Sequence, residues 1–381
     1  MSKLDWFVLI FTLASIVTYG IWKTRGAKDL QSYLKGNNDA KWWGIGISIM
    51  ATQASAITFL STPGQAYTDG MRFIQFYFGL PIAMIILSVT FLPIYYRLKV
   101  YTAYEYLETR FDLKTRTLAA FLFLIQRGLA AGITIYAPSI ILSTLLNWNL
   151  TLTNIFIGLL VILYTVSGGT KAVTQTQKQQ MAVMMGGMIL AGILVINMLP
   201  NNISFLDAVN VAGKMGKLNL VNFDFDLEDR YNFWTGTTAA LFLFLSYFGT
   251  DQSQVQTYLT GKSLAQSRLG LIMNGLLKIP MQLIILFIGV MVFVFYQFNT
   301  PPIFFNKVEL NNIKSSNYSS EVNSLETEFN ALHDKKTVDI YNLLDAQKNE
   351  DKIRVQELKR SVLAKEKKMH EINSNVKTIV L

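Results

Sequence analysis

The chain has no cysteine and only two histidines among its 381 residues. Without cysteine there is no disulfide framework, no thiol nucleophile and no zinc-thiolate site. His333 and His370 both lie in a polar C-terminal stretch, so the apolar part has no histidine to bind a metal or relay a proton. Charged residues are also scarce, at 15%, whereas 51% are hydrophobic and the mean hydropathy is +0.32. This composition is unusual for a soluble protein and typical of a polytopic membrane protein.

The formal net charge of +9 could indicate nucleic-acid binding. The basic residues, however, cluster in short loops between apolar runs, which is better explained by membrane orientation. We therefore expect a lipid bilayer, and no nucleic acid, as a partner. No Ser-His, metal-ligand or paired-carboxylate constellation lies within the apolar runs, so we do not expect an enzyme.

Eight apolar stretches are long enough to cross a membrane. Loops that follow odd-numbered stretches are rich in Lys and Arg, as in 23–42 and 97–116, whereas 67–71 and 147–150 have none. This alternation predicts cytoplasmic odd loops and an N-terminus outside. It also predicts a transmembrane core over 1–298 and a polar, helical, extracytoplasmic loop or tail over 299–381. The eight predicted spans are 4–22, 43–66, 72–96, 117–146, 151–167, 177–199, 234–252 and 270–298.

The second span has polar residues in its middle. Thr52, Gln53, Ser55 and Thr58 lie among small residues in an uncharged run. Hydrocarbon offers no partner for hydroxyls or an amide, so these side chains must face protein or a water-filled cavity. Such a span is suited to holding a solute or an ion.

Two further features within or beside the spans are polar. Lys278 lies about ten residues beyond Arg268, at roughly 15 Å of depth along a helix, so we expect it to point inward; snorkelling to the inner surface is the alternative. The amide-rich stretch 249–261, with Asp251, suits an inner gate or else an ordinary interfacial helix end. Gly168-Gly169 predicts a tight turn between spans five and six.

Together these motifs resemble the sodium/solute symporter family, which includes sodium-coupled glucose, proline, iodide and sialic acid carriers. The resemblance covers residues 1 to about 298. Each matching stretch is weak alone, but their order and spacing are specific. The stretches are 54–70 with Pro63-Gly64, Ile135-Tyr-Ala-Pro138, Gly168-Gly169 through Gln180, and Gly249 through Leu259 followed by Lys278-Ile-Pro280.

The resemblance implies an all-α, LeuT-like fold of two inverted five-helix repeats, with broken helices at the midplane and one extra helix in front. It implies a multi-pass protein of the cell membrane, the inner membrane in a bacterium. It implies alternating access that couples sodium to a small solute, either a sugar or polyol, a carboxylate or an amino acid. It places sodium at the backbone carbonyls of Ala51 and Ala54. It assigns to the substrate cavity Gln53, Ser55, Thr58, Phe76, Tyr77 and Lys278, and to the gate Tyr247 and Asp251.

The sequence departs from the family pattern at three points. Gln177 stands where the family often has Asp, so the negative charge used for a second ion or for sodium release is missing. Tyr77 stands where sugar carriers have Glu, which weakens a glucose or galactose assignment. After Phe298 no apolar run is long enough to cross again, so the second repeat has only three helices.

That last departure leaves alternatives to a working symporter. Residues 300–381 would be an insertion in an outside loop of a chain that is cut short, or the reading frame is truncated. We expect such a chain not to transport alone, and sodium-dependent uptake by a chain ending at Leu381 would contradict this. A symporter-like sensory receptor, with the polar C-terminal helices as relay, is a further alternative.

Overall fold

The computed structural model describes residues 3–24, 40–55, 57–100, 102–146, 148–226 and 228–380. Within these ranges the backbone is overwhelmingly helical, as the apolar stretches predict. The N-terminal half contains helices α1 Lys3–Thr24, α2 Trp42–Gln53, α3 Thr62–Asp69, α4 Gly79–Val89, α5 Phe91–Leu98, α6 Glu105–Arg110, α7 Leu113–Leu146 and α8 Leu150–Asn197. The C-terminal half contains α9 Phe205–Lys214, α10 Phe233–Thr250, α11 Gln252–Leu259, α12 Leu264–Phe298, α13 Lys307–Lys314, α14 Ser319–Lys348 and α15 Lys352–Val380.

The predicted second span is a broken helix. Helix α2 ends at Gln53, and Ala54 leaves the helical conformation with φ −81° and ψ 78°. A short π-helix, Ile57–Ser61, follows before α3 begins at Thr62. Next to the unwound residue, this π-helical turn interrupts the regular α-helical pattern of backbone hydrogen bonds. Such π-helical turns are frequent at functional sites. The break lies at the polar residues that the sequence singled out.

The predicted seventh span is also broken. Asn232 begins α10 with a capping box, its side chain accepting a hydrogen bond from the amide of Thr235. Asp251 is extended, with φ −73° and ψ 117°, and separates α10 from α11. Its carboxylate accepts a hydrogen bond from the amide of Ser253, which caps the start of α11.

The predicted turn at Gly168-Gly169 is wrong. A single helix, α8, runs 48 residues across both predicted spans and the polar stretch between them. Glycine permits a turn but also adopts helical dihedrals, at a cost of about 1 kcal/mol relative to alanine. No proline interrupts the sequence from 150 to 197, so nothing in it forbids the continuous ladder.

Four helical stretches among the described residues are long and apolar enough to cross a membrane. They are Thr58–Leu98, Leu113–Thr144, Thr176–Asn197 and Leu264–Phe298, and the shorter apolar helix Leu150–Ile162 adds a candidate. These stretches overlap five of the eight predicted spans and part of the second. The count of eight and the incomplete second repeat stay predictions.

The chain divides into two compact units. The first contains residues 1–62, 72–188 and 220–285. Its core packs α4 against α10 and includes Ile45, Leu80, Met84 and Phe248. Glycine permits this close packing, since a side chain at Gly79 would lie 2.7 Å from the backbone of Leu241.

The second unit contains residues 63–71, 189–219 and 286–381. Helices α14 and α15 form a hairpin whose turn has Glu350 in the left-handed conformation, at φ 56°. Apolar side chains from both helices, among them Phe329 and Met369, form a core with Ile303 and Leu310. Both long helices of this unit, Ser319–Lys348 and Lys352–Val380, lie in the polar stretch beyond residue 298. The functional boundary at residue 298 stays a prediction.

Candidate functional site

The break after α2 presents backbone carbonyls. The amide of Ala54 donates to the carbonyls of Met50 and Ala51, both at 3.0 Å, so the last turn of α2 is tightened. Ala51 and Ala54 are both buried. A carbonyl oxygen has two lone pairs, so that of Ala51 can still accept a cation. The predicted sodium carbonyls therefore lie in a buried helix break.

The hydroxyls and the amide next to the break divide into two groups. Thr58 Oγ1 donates to the carbonyl of Gln53 at 3.0 Å and is buried. In the second half of α2, Gln177 joins two hydroxyls: Ser48 Oγ donates to its Oε1 at 2.6 Å, and its Nε2 donates to Thr52 Oγ1 at 2.9 Å. Thr52 in turn donates to the carbonyl of Ser48 at 2.8 Å. Both ends of the Gln177 amide are thus occupied.

A cavity of about 270 Å³ lies in the first unit beside these groups. Its lining brings together four of the predicted residues, Gln53, Tyr77, Tyr247 and Lys278. Leu243 and Phe244 complete the lining, and no carboxylate is part of it as the structure describes it. The cavity is therefore mostly apolar, with one amide, two phenols and one ammonium group.

Three predicted cavity residues are not on this lining. The backbone carbonyl of Ser55 accepts hydrogen bonds from the amides of Thr58 and Phe59. The hydroxyl of Thr58 donates to the carbonyl of Gln53. Phe76 packs edge-on against Phe244, with ring centres 5.5 Å apart, and so lies behind the cavity wall. Sequence reasoning missed Leu243 and Phe244. The aromatic run 242–248, which directly precedes the second break, could have indicated them.

Lys278 is the most unusual side chain of the cavity. It is 1% exposed, and its ammonium group has no hydrogen-bond partner among the residues that the structure describes. It therefore does not snorkel to a surface. Asn274 lies one helical turn before Lys278 in α12, and Gln282 lies one turn after it. Both are also fully buried and have amide atoms without a hydrogen-bond partner among the described residues. Four-residue spacing puts all three on one face of the helix, a pattern that the sequence analysis did not use.

An ion pair occupies the second break. The guanidinium of Arg127, on α7, bonds the carboxylate of Asp251 and donates to Ser253 Oγ at 2.6 Å. It also lies 5.8 Å from the ring centre of Tyr247, within cation–π range. Tyr247 accepts a hydrogen bond from Gln254 Nε2 at 2.9 Å. The two predicted gate residues are thus joined through Arg127.

The arrangement suits sodium better than a transition metal. Within the described part of the chain, no cluster of three His, Cys, Asp or Glu side chains could hold a metal ion. A hard, singly charged cation can instead be bound by backbone carbonyls and hydroxyls at a helix break, as in transporters with discontinuous helices.

The chain is similar to known transporters over most of its length. It is 32% identical over 284 residues to sodium-coupled monocarboxylate transporter 1 of Xenopus laevis, an alignment covering 71% of this chain and 44% of that protein. It is 30% identical over 301 residues to the human sodium/iodide cotransporter, covering 76% of this chain and 46% of that protein. The chain thus spans somewhat less than half the length of these relatives.

A solved structure shares the fold. A substrate-bound, outward-open Na⁺-coupled sialic acid symporter matches with a TM-score of 0.75 and 26% identity, covering 80% of this chain and 65% of that one. The predicted all-helical, LeuT-like fold is confirmed by this likeness. The family model described as sodium:solute symporter family matches residues 33–318, about three quarters of the chain. The chain belongs to the sodium:solute symporter family.

Proposed function

We propose that this protein is a sodium-coupled symporter that moves a small organic solute by alternating access. The observation that carries the proposal is the unpartnered ammonium group of Lys278 in a cavity lined by Gln53 and Tyr247, residues next to the two helix breaks. An ionisable side chain in an apolar span without a partner is expensive, and such residues usually mark a substrate pathway.

Among the solute classes, a carboxylate fits the cavity best. Lys278 is the one charged residue on the described lining, and Arg127 is already used by Asp251. Tyr77 takes the place of the acidic residue of sugar carriers, and the apolar wall of Leu243 and Phe244 suits a short carbon chain. The names of the two relatives, monocarboxylate transporter and iodide cotransporter, also specify anions.

Sodium would bind at the carbonyls of Ala51 and Ala54, and the solute in the cavity lined by Gln53, Tyr77 and Lys278. A cation at this break and an anion at Lys278 would each favour the same state, so that each would increase the affinity for the other. Arg127, Asp251 and Tyr247 would hold the second break shut on one side. Release of sodium would free that contact and reverse the state.

For membrane placement we propose a multi-pass protein of the cell membrane with the N-terminus and residues 299–381 extracytoplasmic. The alternation of basic and charge-poor loops supports this orientation. Alkaline phosphatase fused at Leu381 should be active in cells. Fluorescence of a protein fused there that folds only in the cytoplasm would contradict the orientation and favour the receptor alternative.

The test of the function separates binding from transport, because the alignments cover only 44% and 46% of the two relatives. Thermal unfolding of the purified protein is measured with lactate, butyrate, glucose and proline, each in sodium or in choline. We expect a carboxylate to stabilise the protein more strongly in sodium than in choline, and we expect K278M to remove that difference. Uptake into proteoliposomes with and without a sodium gradient then decides between two hypotheses. A working symporter gives sodium-dependent uptake, whereas the alternative of a chain that does not transport alone gives solute binding without uptake. Equal solute binding in sodium and choline would contradict sodium coupling.

A further inference from the structure

The second unit has a cavity of its own, of about 410 Å³. It lies between residues 67–69, which follow the first helix break, and the α14–α15 hairpin, with Lys217 at one side. Its volume is within the range of small-molecule sites. Most of its lining belongs to helices beyond residue 318, where the family match ends. None of its residues lines the cavity of the first unit.

Positive charge predominates in this cavity. Three ammonium groups, Lys217, Lys336 and Lys367, and the imidazole of His370 face two carboxylates. Glu366 is paired with Lys336, whose Nζ donates to it at 2.7 Å. The other carboxylate, Asp69, accepts a hydrogen bond from Gln65. Both carboxylates of the cavity therefore have a hydrogen-bond partner, whereas Lys217 and Lys367 have, within the described part of the chain, no carboxylate to neutralise them.

Two of the lysines have no carboxylate partner. Among the described residues no acidic oxygen lies within 4 Å of the ammonium group of Lys217 or Lys367. Lys217 Nζ donates to the carbonyl of Thr68 at 2.5 Å and lies 4.5 Å from the ring centre of Phe293. Burial lowers the pKa of Lys217, although Glu366 and Asp69 act to raise it. An anion would therefore find a partly desolvated cation there, where attraction is stronger than in water.

The remaining lining is suited to an organic ligand. Asn373 has a buried amide oxygen without a hydrogen-bond partner. Phe329, Leu363 and Met369 provide the apolar part of the lining. A purely inorganic anion would leave that part without a contact.

We propose that this cavity is a binding site for a small organic carboxylate, held by Lys217 and Lys367 with its carbon chain against the apolar side chains of the lining. The site is independent of the cavity around Lys278 and of whether the protein transports. It gives a function to the polar C-terminal hairpin, which the sequence analysis interpreted only as a solvated helical loop or tail.

The two histidines of the chain provide a direct test. His370 lines the cavity, whereas His333 is buried elsewhere in the unit, 3.0 Å from the carbonyl of Tyr296. The full chain, with ¹⁵N-labelled histidine and in detergent, is titrated with butyrate and, separately, with inorganic phosphate. We expect butyrate to shift the His370 signal saturably and to leave that of His333 in place. Phosphate should bind at least about tenfold more weakly, since it makes no contact with the apolar part of the lining.

Variants locate the site. K217Q together with K367Q should raise the Kd for butyrate at least about tenfold, because two charge-assisted hydrogen bonds are lost. K368Q is the matched control, since Lys368 is exposed on the same helix and is not on the lining; its Kd should not change. K278Q should also leave this Kd unchanged.

Three results would overturn the proposal. They are the absence of a saturable His370 shift, an unchanged Kd in the double variant, and loss of the shift in K278Q. Phosphate binding equal to that of butyrate would overturn the assignment to an organic carboxylate. Because K278Q tests the cavity of the first unit, failure of this site and failure of the proposed transport function give different results.

Discussion

Among the residues that the structure describes, two lysines are almost completely buried, in different regions and in opposite circumstances. Lys278, in the apolar helix α12, is 1% exposed and has no partner for its ammonium group. Lys336, in the C-terminal hairpin, is 2% exposed and donates to Glu366 at 2.7 Å, a carboxylate whose side chain is 35% exposed. The same side chain is thus satisfied by the fold in one region and left unsatisfied in the other.

The difference separates a residue that supports structure from one that awaits a ligand. Removing a charge from water costs several kcal/mol unless a partner compensates for it. The apolar region does supply partners elsewhere, since both ends of the Gln177 amide bond hydroxyls of α2. The missing partner of Lys278 is therefore a local property of the cavity. An anionic solute is the partner that we propose.

The largest expected effect is on solute binding at Lys278. K278M removes the charge and keeps most of the volume, so binding of the carboxylate in sodium should weaken at least about tenfold. Isothermal titration or thermal shift in sodium measures this. K262M is the control, since Lys262 is exposed and not on the cavity lining. Equal solute affinity in K278M and the parent would show that Lys278 is not the anion site.

The next largest effect is on stability. Replacing each of the two buried lysines should change the free energy of unfolding in opposite directions. K336M leaves Glu366 without its cation, and because that carboxylate is partly exposed we expect a loss of about 1–2 kcal/mol in the free energy of unfolding. K278M relieves an uncompensated charge and should raise that free energy by about 1 kcal/mol without solute. Unfolding of the two variants under matched conditions measures both. Shifts of the same sign and size would remove the distinction drawn above.

The sequence predicted the unpaired lysine better than the paired one. Counting residues from Arg268 was enough to place Lys278 deep in an apolar helix, because helical rise converts sequence distance into depth. Lys336 and Glu366 are 30 residues apart on two helices, so their pairing depends on the register of the hairpin, which no local pattern reveals. The polar residues of the second span pointed to the region of Ala54, and the helix break there was implied by the family resemblance. The turn at Gly168-Gly169 did not form, because glycine permits a turn without requiring one.

A smaller effect is expected at Gln177, the fully paired amide. Q177E keeps the acceptor oxygen for Ser48, replaces the amide donor to Thr52 by a second acceptor, and adds a negative charge near the proposed sodium carbonyls. Sodium affinity should then rise about three- to tenfold, as attraction by a partly screened charge predicts. Sodium titration of thermal stability measures this change. Q177L, which removes the hydrogen bonds without adding charge, should not raise sodium affinity, and a rise in Q177L would assign the effect to loosening of α2.

The smallest effect is expected where a lysine is paired but exposed. Lys348 lies 4.0 Å from Asp207 and its side chain is 61% exposed. The hydroxyl of Ser204 already lowers the pKa of Asp207 by hydrogen bonding, with burial opposing the shift. Lys348 therefore adds little, and K348M should change the free energy of unfolding by less than about 0.5 kcal/mol. A double-mutant cycle with D207N should give a coupling near zero, whereas the cycle of K336M with E366Q should give about 1 kcal/mol or more. If both cycles gave the same coupling energy, burial of Lys336 would not be the reason that its ion pair contributes to stability. The buried, unpaired state of Lys278 would then no longer indicate a ligand site.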